Sequence, residues 1–192
     1  SSDLSNLLLN ENGERASDNM NYFMSYLICE KLIQINEYNR LIHDLNGMET
    51  DEFLNILNEK FTVEKVHEYW KPTKKYTFGM YLEGSFYSLT LKKIPNEDQI
   101  IDNLDAQILY DLILNPLLNI KDLRTDNRIS YIPGNKNIME LVNKVDNGEF
   151  KIGFILYPSS VNEIKTLADN DLTMPPKSTY IEPKLRNGLI IY

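Results

Sequence analysis

The chain has 192 residues, of which 42% are hydrophobic and 25% charged, so it can bury one sizeable core and has an ordinary globular composition. Its formal net charge of −8 argues against broad binding of nucleic acid or anionic membrane, because both rely on positive fields. No apolar run approaches the ~18 residues that cross a bilayer. The single cysteine, Cys29, excludes an internal disulfide, and we expect a cytoplasmic protein with Cys29 buried in the core.

The N-terminal part predicts a lead segment followed by a β-hairpin. Residues 1–18 are polar after one Leu triplet and are expected to be a poorly ordered or helical lead to a single α+β domain over residues 19–192. Residues 20–28 are aromatic and β-rich, which predicts a buried strand. LIQIN (32–36) predicts a second strand, with the intervening Glu-Lys pair as the turn.

The next elements have clear periodic patterns. Thr50 opens a predicted helix with acidic residues in its first turn and Phe53, Leu54 and Leu57 on one apolar face. FTVEKV (61–66) alternates as a half-exposed strand does. The runs YTFGMYL and SFYSLTL flank a Glu-Gly pair, which predicts a tight β-hairpin.

The C-terminal half predicts alternating helices and strands. LDAQILYDLILNPLL (104–118) is amphipathic and should be helical until Pro116 bends or ends it. ISYIPG and FKIGFILYP predict strands on either side of the helix NIMELVNKVDNG, which Gly148 closes. Ser160 and Glu163 form a capping box for the helix VNEIKTLAD. We therefore predict an α+β fold, a mixed sheet with a β-hairpin, covered by helices.

The common signatures of nucleotide-binding loops and zinc sites do not occur in the sequence. His43 and His67 fall in different predicted elements, and either is a surface or packing residue more readily than a general base. The polar segment DLRTDNR (122–128) carries Arg124 and Arg128, and it predicts either a solvated loop or a contribution to an anion site.

The segment MPPKSTYIEPKLRNG, residues 174–188, is called the strip below. Its prolines exclude a regular helix and predict an extended path. Lysine and hydroxyl side chains with free backbone N–H groups are the groups that hold phosphate or carboxylate. The candidate anion ligands in the strip are Lys177, Ser178, Thr179, Lys184 and Arg186. The alternative is a structural tail whose end, GLIIY, forms the last strand of the sheet.

The run from IGFILYPSS to the strip closely resembles the C-terminal signature of domain-of-unknown-function family 1015, whose members carry an "MPPKSTYFYPKL.SGL"-like segment. The segments GMYLEGSFYSLTLK, LDAQILYDLILNPLL, RISYIPG and NYFMSYLI…NRLI extend the resemblance over about residues 19–192. Where the family has a His-Arg pair this chain has Asn39-Arg40, so only Arg40 is carried over as a site residue.

The resemblance implies the C-terminal part of a longer protein. Family members carry an upstream Asp-Gly-His-His-Arg motif, which this sequence lacks, and related proteins of ParB/sulfiredoxin-like fold are free-serine kinases. The resemblance implies that this chain is the domain that contacts the substrate or the phosphate in a kinase of a small, serine-like metabolite. It also implies that this domain is inactive by itself. The phosphate donor of a full-length protein is left open among ATP, ADP and pyrophosphate, and no metal ligand is assigned.

The expected partners are a small anionic metabolite, an upstream domain of the same protein or a second copy of the chain. The alternative function is a non-catalytic structural or interaction module that packs on such a domain or copy.

Overall fold

The computed structural model describes residues 27–96 and 98–184, which fall into two compact units. The described part of the first unit is residues 27–33 and Lys184. It contains one turn of 3-10 helix, Glu30–Leu32, none of whose residues is buried. Cys29 directly precedes this turn and is exposed, so the prediction that it lies in a core is wrong. The predicted lead 1–18 and most of the predicted strand 20–28 lie outside the described residues.

The second unit, Gln34–Pro183, contains two sheets. Its strands are β1 Gln34–Asn36, β2 Tyr38–Ile42, β3 Phe61–Val66, β4 Thr77–Leu82, β5 Ser85–Leu91, β6 Ile129–Pro133, β7 Ile152–Ile155 and β8 Tyr180–Glu182. Its α-helices are α1 Thr50–Lys60, α2 Asp105–Leu109, α3 Met139–Asp146 and α4 Val161–Asp169. The α+β class is therefore confirmed, and none of the helices in the described ranges is long and apolar enough to cross a membrane.

The larger sheet has the strand order β3-β5-β4-β7-β2-β6, and β1 pairs with β8 in the smaller one. All pairs among the described strands are antiparallel, so the prediction of a mixed sheet is wrong. The helix α3 does connect two parallel strands, β6 and β7, as a strand-helix-strand pattern suggests. However, β2 lies between those strands and pairs antiparallel with both of them.

Local patterns account for the elements that were predicted correctly. The hairpin β4–β5 turns through Glu83 and Gly84, whose φ angles of 47° and 72° are the positive values that a two-residue hairpin turn requires. The capping box of α4 is formed as predicted, since the Ser160 hydroxyl accepts from the Glu163 N–H and the Glu163 carboxylate accepts from the Ser160 N–H.

The predicted helix 104–118 changes its winding part-way. Asp105–Leu109 is α-helical, Tyr110–Leu114 is a π-helix, and the Asn115 N–H donates to the Tyr110 carbonyl five residues back. The chain leaves the helix at Pro116, which has no N–H to donate. This helix and α1 cover one face of the larger sheet, whereas α3 covers the other.

Strand β2 lies inside the larger sheet and was not predicted. Its neighbouring residues Leu41 and Ile42 pack into the two different cores, as successive residues of a strand do. Its other members are polar, however: Asn39 and Arg40 are buried, and so is Glu37 just before the strand. These three buried polar side chains lie close to the edge of the sheet, where β2 pairs with β6.

Candidate functional site

An open groove of about 760 Å³ lies beside the edge strand β6. The β2–β6 register sets Tyr38 opposite Pro133, Arg40 opposite Tyr131 and Ile42 opposite Ile129, so these residues share one face of the sheet. The loop before β6 and two residues of the strip, Pro176 and Lys177, complete the walls. The lining residues are Tyr38, Leu123, Arg124, Asp126, Ile129, Ser130, Tyr131, Pro133, Pro176 and Lys177.

Two cations in this groove form no salt bridge with a described residue, although the Asp122 carboxylate accepts from the Arg124 N–H and interacts with the charge of Arg124. The exposed side chains of Lys177 and Arg124 form no ion pair there. The Lys177 ammonium lies 5.3 Å from the centroid of the Tyr38 ring, within range of a cation–π contact. The one acid in the lining, Asp126, is bound by the guanidinium of Arg128 at 2.8 Å, which lowers the pKa of its carboxyl. The groove therefore offers positive charge in a chain of net charge −8.

The strip reaches the groove through a turn, so the predicted extended path is wrong at this point. Lys177 has a φ of 54°, in the left-handed region, directly after Pro176. Proline restricts the residue before it and leaves the residue after it free to turn. Ser178 is buried, and its hydroxyl donates to the Pro175 carbonyl at 2.7 Å, which closes the turn and leaves Lys177 exposed. Beyond the turn the strip is extended as β8.

Arg40 lies behind the groove wall in the middle of β2. Its side chain is 0% exposed. One terminal nitrogen donates to the Tyr38 carbonyl and the other to the Lys177 carbonyl at 3.1 Å. Its guanidinium carbon is 5.9 Å from the centroid of the Tyr131 ring. Arg40 therefore contacts three residues that line the groove without lining it itself.

The charge of Arg40 is not balanced by a carboxylate in the described part of the chain. Its Nε has no hydrogen-bond partner there, and none of the ion pairs there includes it. Burial lowers the pKa of the Arg40 guanidinium to about 10, so the group remains protonated at neutral pH. A buried cation without a counter-ion adds to the positive potential of the groove beside it.

The remaining predicted site residues lie elsewhere. Arg128 is occupied by Asp126 and by the carbonyls of Leu118 and Asn119, so it holds the loop before β6. Thr179 is half-buried and does not line the groove. Lys184 belongs to the first unit, and Arg186 lies outside the described residues.

Sequence reasoning from the residues missed Tyr38 and Tyr131. The segment YNRLI, residues 38–42, does not alternate apolar and polar residues, so no strand pattern marked Tyr38.

A second polar feature precedes β2. The carboxylate of Glu37 is 3% exposed and pairs with the Lys71 ammonium at 2.9 Å. It lies where a side chain at Gly134 would stand, because a Cβ on Gly134 would clash with the carboxyl carbon of Glu37. The Gly134 N–H donates to the Glu37 carbonyl at 2.7 Å. Glu37 is therefore a buried anion that fixes the end of β6 next to the groove.

The histidines do not join this site. His43 is exposed and stacks on Phe150 with the ring centroids 4.2 Å apart, beside a separate cavity of about 390 Å³. His67 is exposed. Within residues 27–96 and 98–184, no cluster of three or more His, Cys, Asp or Glu residues could hold a metal ion.

A protein-family model described as "Protein of unknown function (DUF1015)" matches residues 3–107, which is more than half of the 192 residues. The chain belongs to this family. The matched part includes the NYFMSYLI and GMYLEGSFYSLTLK segments on which the resemblance was based, together with β2 and Arg40. The family membership that the sequence indicated is therefore confirmed. Against curated proteins, the sequence gave no match.

Solved structures to which a comparison finds the chain similar include a free serine kinase in complex with AMP, at 13% sequence identity and a TM-score of 0.46. The similarity covers 78% of this chain and 54% of the kinase chain. A conserved hypothetical protein from Pyrococcus furiosus is similar at 10% identity and a TM-score of 0.44, over 79% of this chain and 56% of that one. The chain thus spans about half the length of the structures that it matches.

Proposed function

We propose that the unit Gln34–Pro183 binds a small anionic metabolite, one that bears a phosphate or carboxylate, in the groove between the Pro176–Lys177 turn and β6. The observation that carries this proposal is the pair of exposed cations, Lys177 and Arg124, on one groove, neither of which is in a salt bridge with a described residue. Lysine supplies a point charge, and arginine a planar fork that matches two oxygens of phosphate or carboxylate.

The surroundings of the two cations support an anion with an apolar portion. Tyr38, Tyr131, Pro133 and Pro176 supply flat or apolar wall, while the buried charge of Arg40 lies directly behind. A charge close behind the wall acts on the groove through a medium of lower effective dielectric constant than bulk water. Arg40 can therefore favour an anion in the groove without touching it.

We further propose that this module serves as a substrate- or phosphate-contacting part of a small-metabolite, serine-like kinase. The sequence resemblance supports this step, and phosphoryl transfer depends largely on positioning and charge neutralisation, which a cationic groove supplies. The predicted ligand residues in this proposal are Lys177 and Arg124, with Arg40 behind them. Ser178 shapes the turn that presents Lys177.

Replacing Lys177 by Gln should weaken the binding of inorganic phosphate about tenfold, or ~1.4 kcal/mol, because the exposed ammonium is one of the two cations that line the groove. Isothermal titration on the whole chain, at fixed ionic strength, measures this change. The melting temperature should shift little, since an exposed lysine contributes little to stability.

Lys65→Gln is the matched control. Lys65 is exposed on β3, at the opposite edge of the same sheet, so its replacement by Gln removes one positive charge far from the groove. Equal phosphate affinity for wild type, Lys177→Gln and Lys65→Gln would exclude the anion site. A lowered melting temperature with unchanged affinity would instead favour the structural or interaction module.

The alternative module has one observation in its favour, which is that strand β8 of the strip is held firmly by its neighbours. The Glu182 carboxylate accepts from Asn36 and from Asn135, and β8 pairs with β1. A segment tied in this way can present a docking surface as well as a ligand site. Binding of a partner domain that persists in Lys177→Gln would support this alternative.

The isolated chain should show no measurable transfer of phosphate to serine from ATP, ADP or pyrophosphate. The reason is that the sequence lacks the Asp-Gly-His-His-Arg motif of the family it resembles, and acid–base residues contribute strongly to such rates. A coupled assay with phosphoserine detection tests this expectation. Steady turnover that Lys177→Gln abolishes would show instead that this chain is itself the kinase.

A further inference from the structure

The geometry points to Arg40 as the positioning residue of the anion groove: it holds the Pro176–Lys177 turn against β2 and so sets where the Lys177 ammonium stands. This inference rests on the proposed anion site and names the residue on which the shape of that site depends. Arg40 is completely buried and therefore acts on a ligand through other residues.

The bonds of Arg40 join the two sides of the groove. Its acceptors are the backbone carbonyls of Tyr38 and Lys177, and the bond to Lys177 spans 137 positions of sequence. Both acceptor residues line the groove. A single planar guanidinium therefore fixes the distance between the sheet and the strip at the ligand site.

The turn that Arg40 holds would not be expected to persist without restraint. Lys177 adopts a φ of 54°, a conformation that side-chain-bearing residues rarely adopt. Two side-chain hydrogen bonds support this turn among the described residues, namely the Arg40 bond to the Lys177 carbonyl and the Ser178 hydroxyl bond to the Pro175 carbonyl. Loss of either contact should let the turn relax and move the ammonium out of the groove.

Lysine cannot replace arginine in this role. An ammonium on a flexible stem keeps the positive charge but lacks the planar fork that reaches two carbonyls in fixed directions. Arg40→Lys therefore separates the two contributions of Arg40: its charge is kept and its clamp is lost. Arg40→Met removes both.

The test measures inorganic phosphate binding to the whole chain with Arg40→Lys, Lys177→Gln and the double variant. We expect each single variant to bind about tenfold more weakly and the double variant to bind no more weakly than Lys177→Gln alone, because Arg40 acts through Lys177. The inference would be overturned if Arg40→Lys bound phosphate as tightly as wild type. It would also be overturned if the double variant bound about a hundredfold more weakly, the product of the two single losses.

Amide exchange of residues 177–179 gives a second readout, independent of phosphate. Arg40→Lys should speed exchange there while leaving β4 and β5 protected, and unchanged exchange would overturn the clamp. If Arg40→Lys does not fold, Ser178→Ala loosens the same turn from its other contact and should also weaken phosphate binding several-fold; wild-type affinity in that variant would refute the role of the turn.

The failure of the proposed function would look different. A wild-type chain that does not bind phosphate, or one in which Lys177→Gln binds normally, removes the anion site and the ligand role of Arg40 with it. Accelerated exchange in Arg40→Lys would then identify Arg40 as a structural clamp only.

Discussion

Wild type should lose about 4 kcal/mol of its free energy of unfolding between pH 4 and pH 8 because of Asp105. Replacing Asp105 by Asn should remove this loss. Asp105 is 7% exposed. Its Oδ1 accepts from the Tyr76 N–H at 2.9 Å, whereas its Oδ2 has no partner among the described residues. Burial raises the pKa of this carboxyl from 3.8 to about 7.

The direction follows from the raised pKa. Between pH 3.8 and about 7 the folded state binds a proton at Asp105 that the unfolded state has already lost. The contribution of Asp105 to the free energy of unfolding is therefore fully present below pH ~4 and is lost as the pH rises through ~7. About three pKa units at 1.36 kcal/mol each give ~4 kcal/mol.

Urea unfolding of both proteins across this pH range measures the difference directly. Constant costs of the substitution, such as an unpaired amide N–H, cancel when only the change with pH is compared. Asp111→Asn, an exposed acid on the following helical turn, controls for the removal of one negative charge. Profiles of wild type and Asp105→Asn that run parallel from pH 4 to pH 8 would refute the expectation.

Elements whose own residues determine them were predicted from the sequence. Helix α1 has its acidic first turn and apolar face within eleven residues. The hairpin β4–β5 carries its turn chemistry in two residues, and α4 carries its capping box in four. In each case the decisive interactions are local, so the sequence pattern was sufficient.

Strand β2 could not be predicted in the same way because its polar residues are satisfied from a distance. The Asn39 side chain accepts from the Leu156 N–H, 117 positions away, and Arg40 donates to Lys177 at 137 positions. Without these partners, a segment reading Glu-Tyr-Asn-Arg resembles a surface loop. The same long-range pairing inserts β2 between β6 and β7, which made the mixed-sheet prediction fail.

The candidate site was predicted in part. Lys177 and Arg124 were candidates from charge and composition, and the structure places both on one groove. Their proximity depends on the turn at Lys177, which the proline pattern did not reveal. Arg40 was a candidate through the family resemblance alone, and its position behind the groove required the fold. The groove therefore combines residues that the sequence could suggest with a geometry that it could not.

Replacing Lys71 by Ala should lower the free energy of unfolding by about 2 kcal/mol. The Glu37 carboxylate is 3% exposed, and Lys71 is its cation in the described part of the chain, at 2.9 Å. Breaking a buried ion pair from one side typically costs 3–5 kcal/mol because the other charge stays buried. We expect about half of that, since the Lys71 side chain is 42% exposed and its field is screened by water.

The second variant, Glu37→Gln, distinguishes this cause from a loss of packing. On its own it should cost less than Lys71→Ala, because the lysine that it leaves behind can extend into water. Glu37→Gln should also make Lys71→Ala less damaging, since no buried charge then remains. Lys74→Ala, an exposed lysine in the same segment that forms no ion pair with the described residues, should have little effect. If Lys71→Ala is as mild as Lys74→Ala in urea unfolding at pH 7, Glu37 is not held by this ion pair, and the end of β6 beside the groove depends on the backbone bond between Gly134 and Glu37 instead.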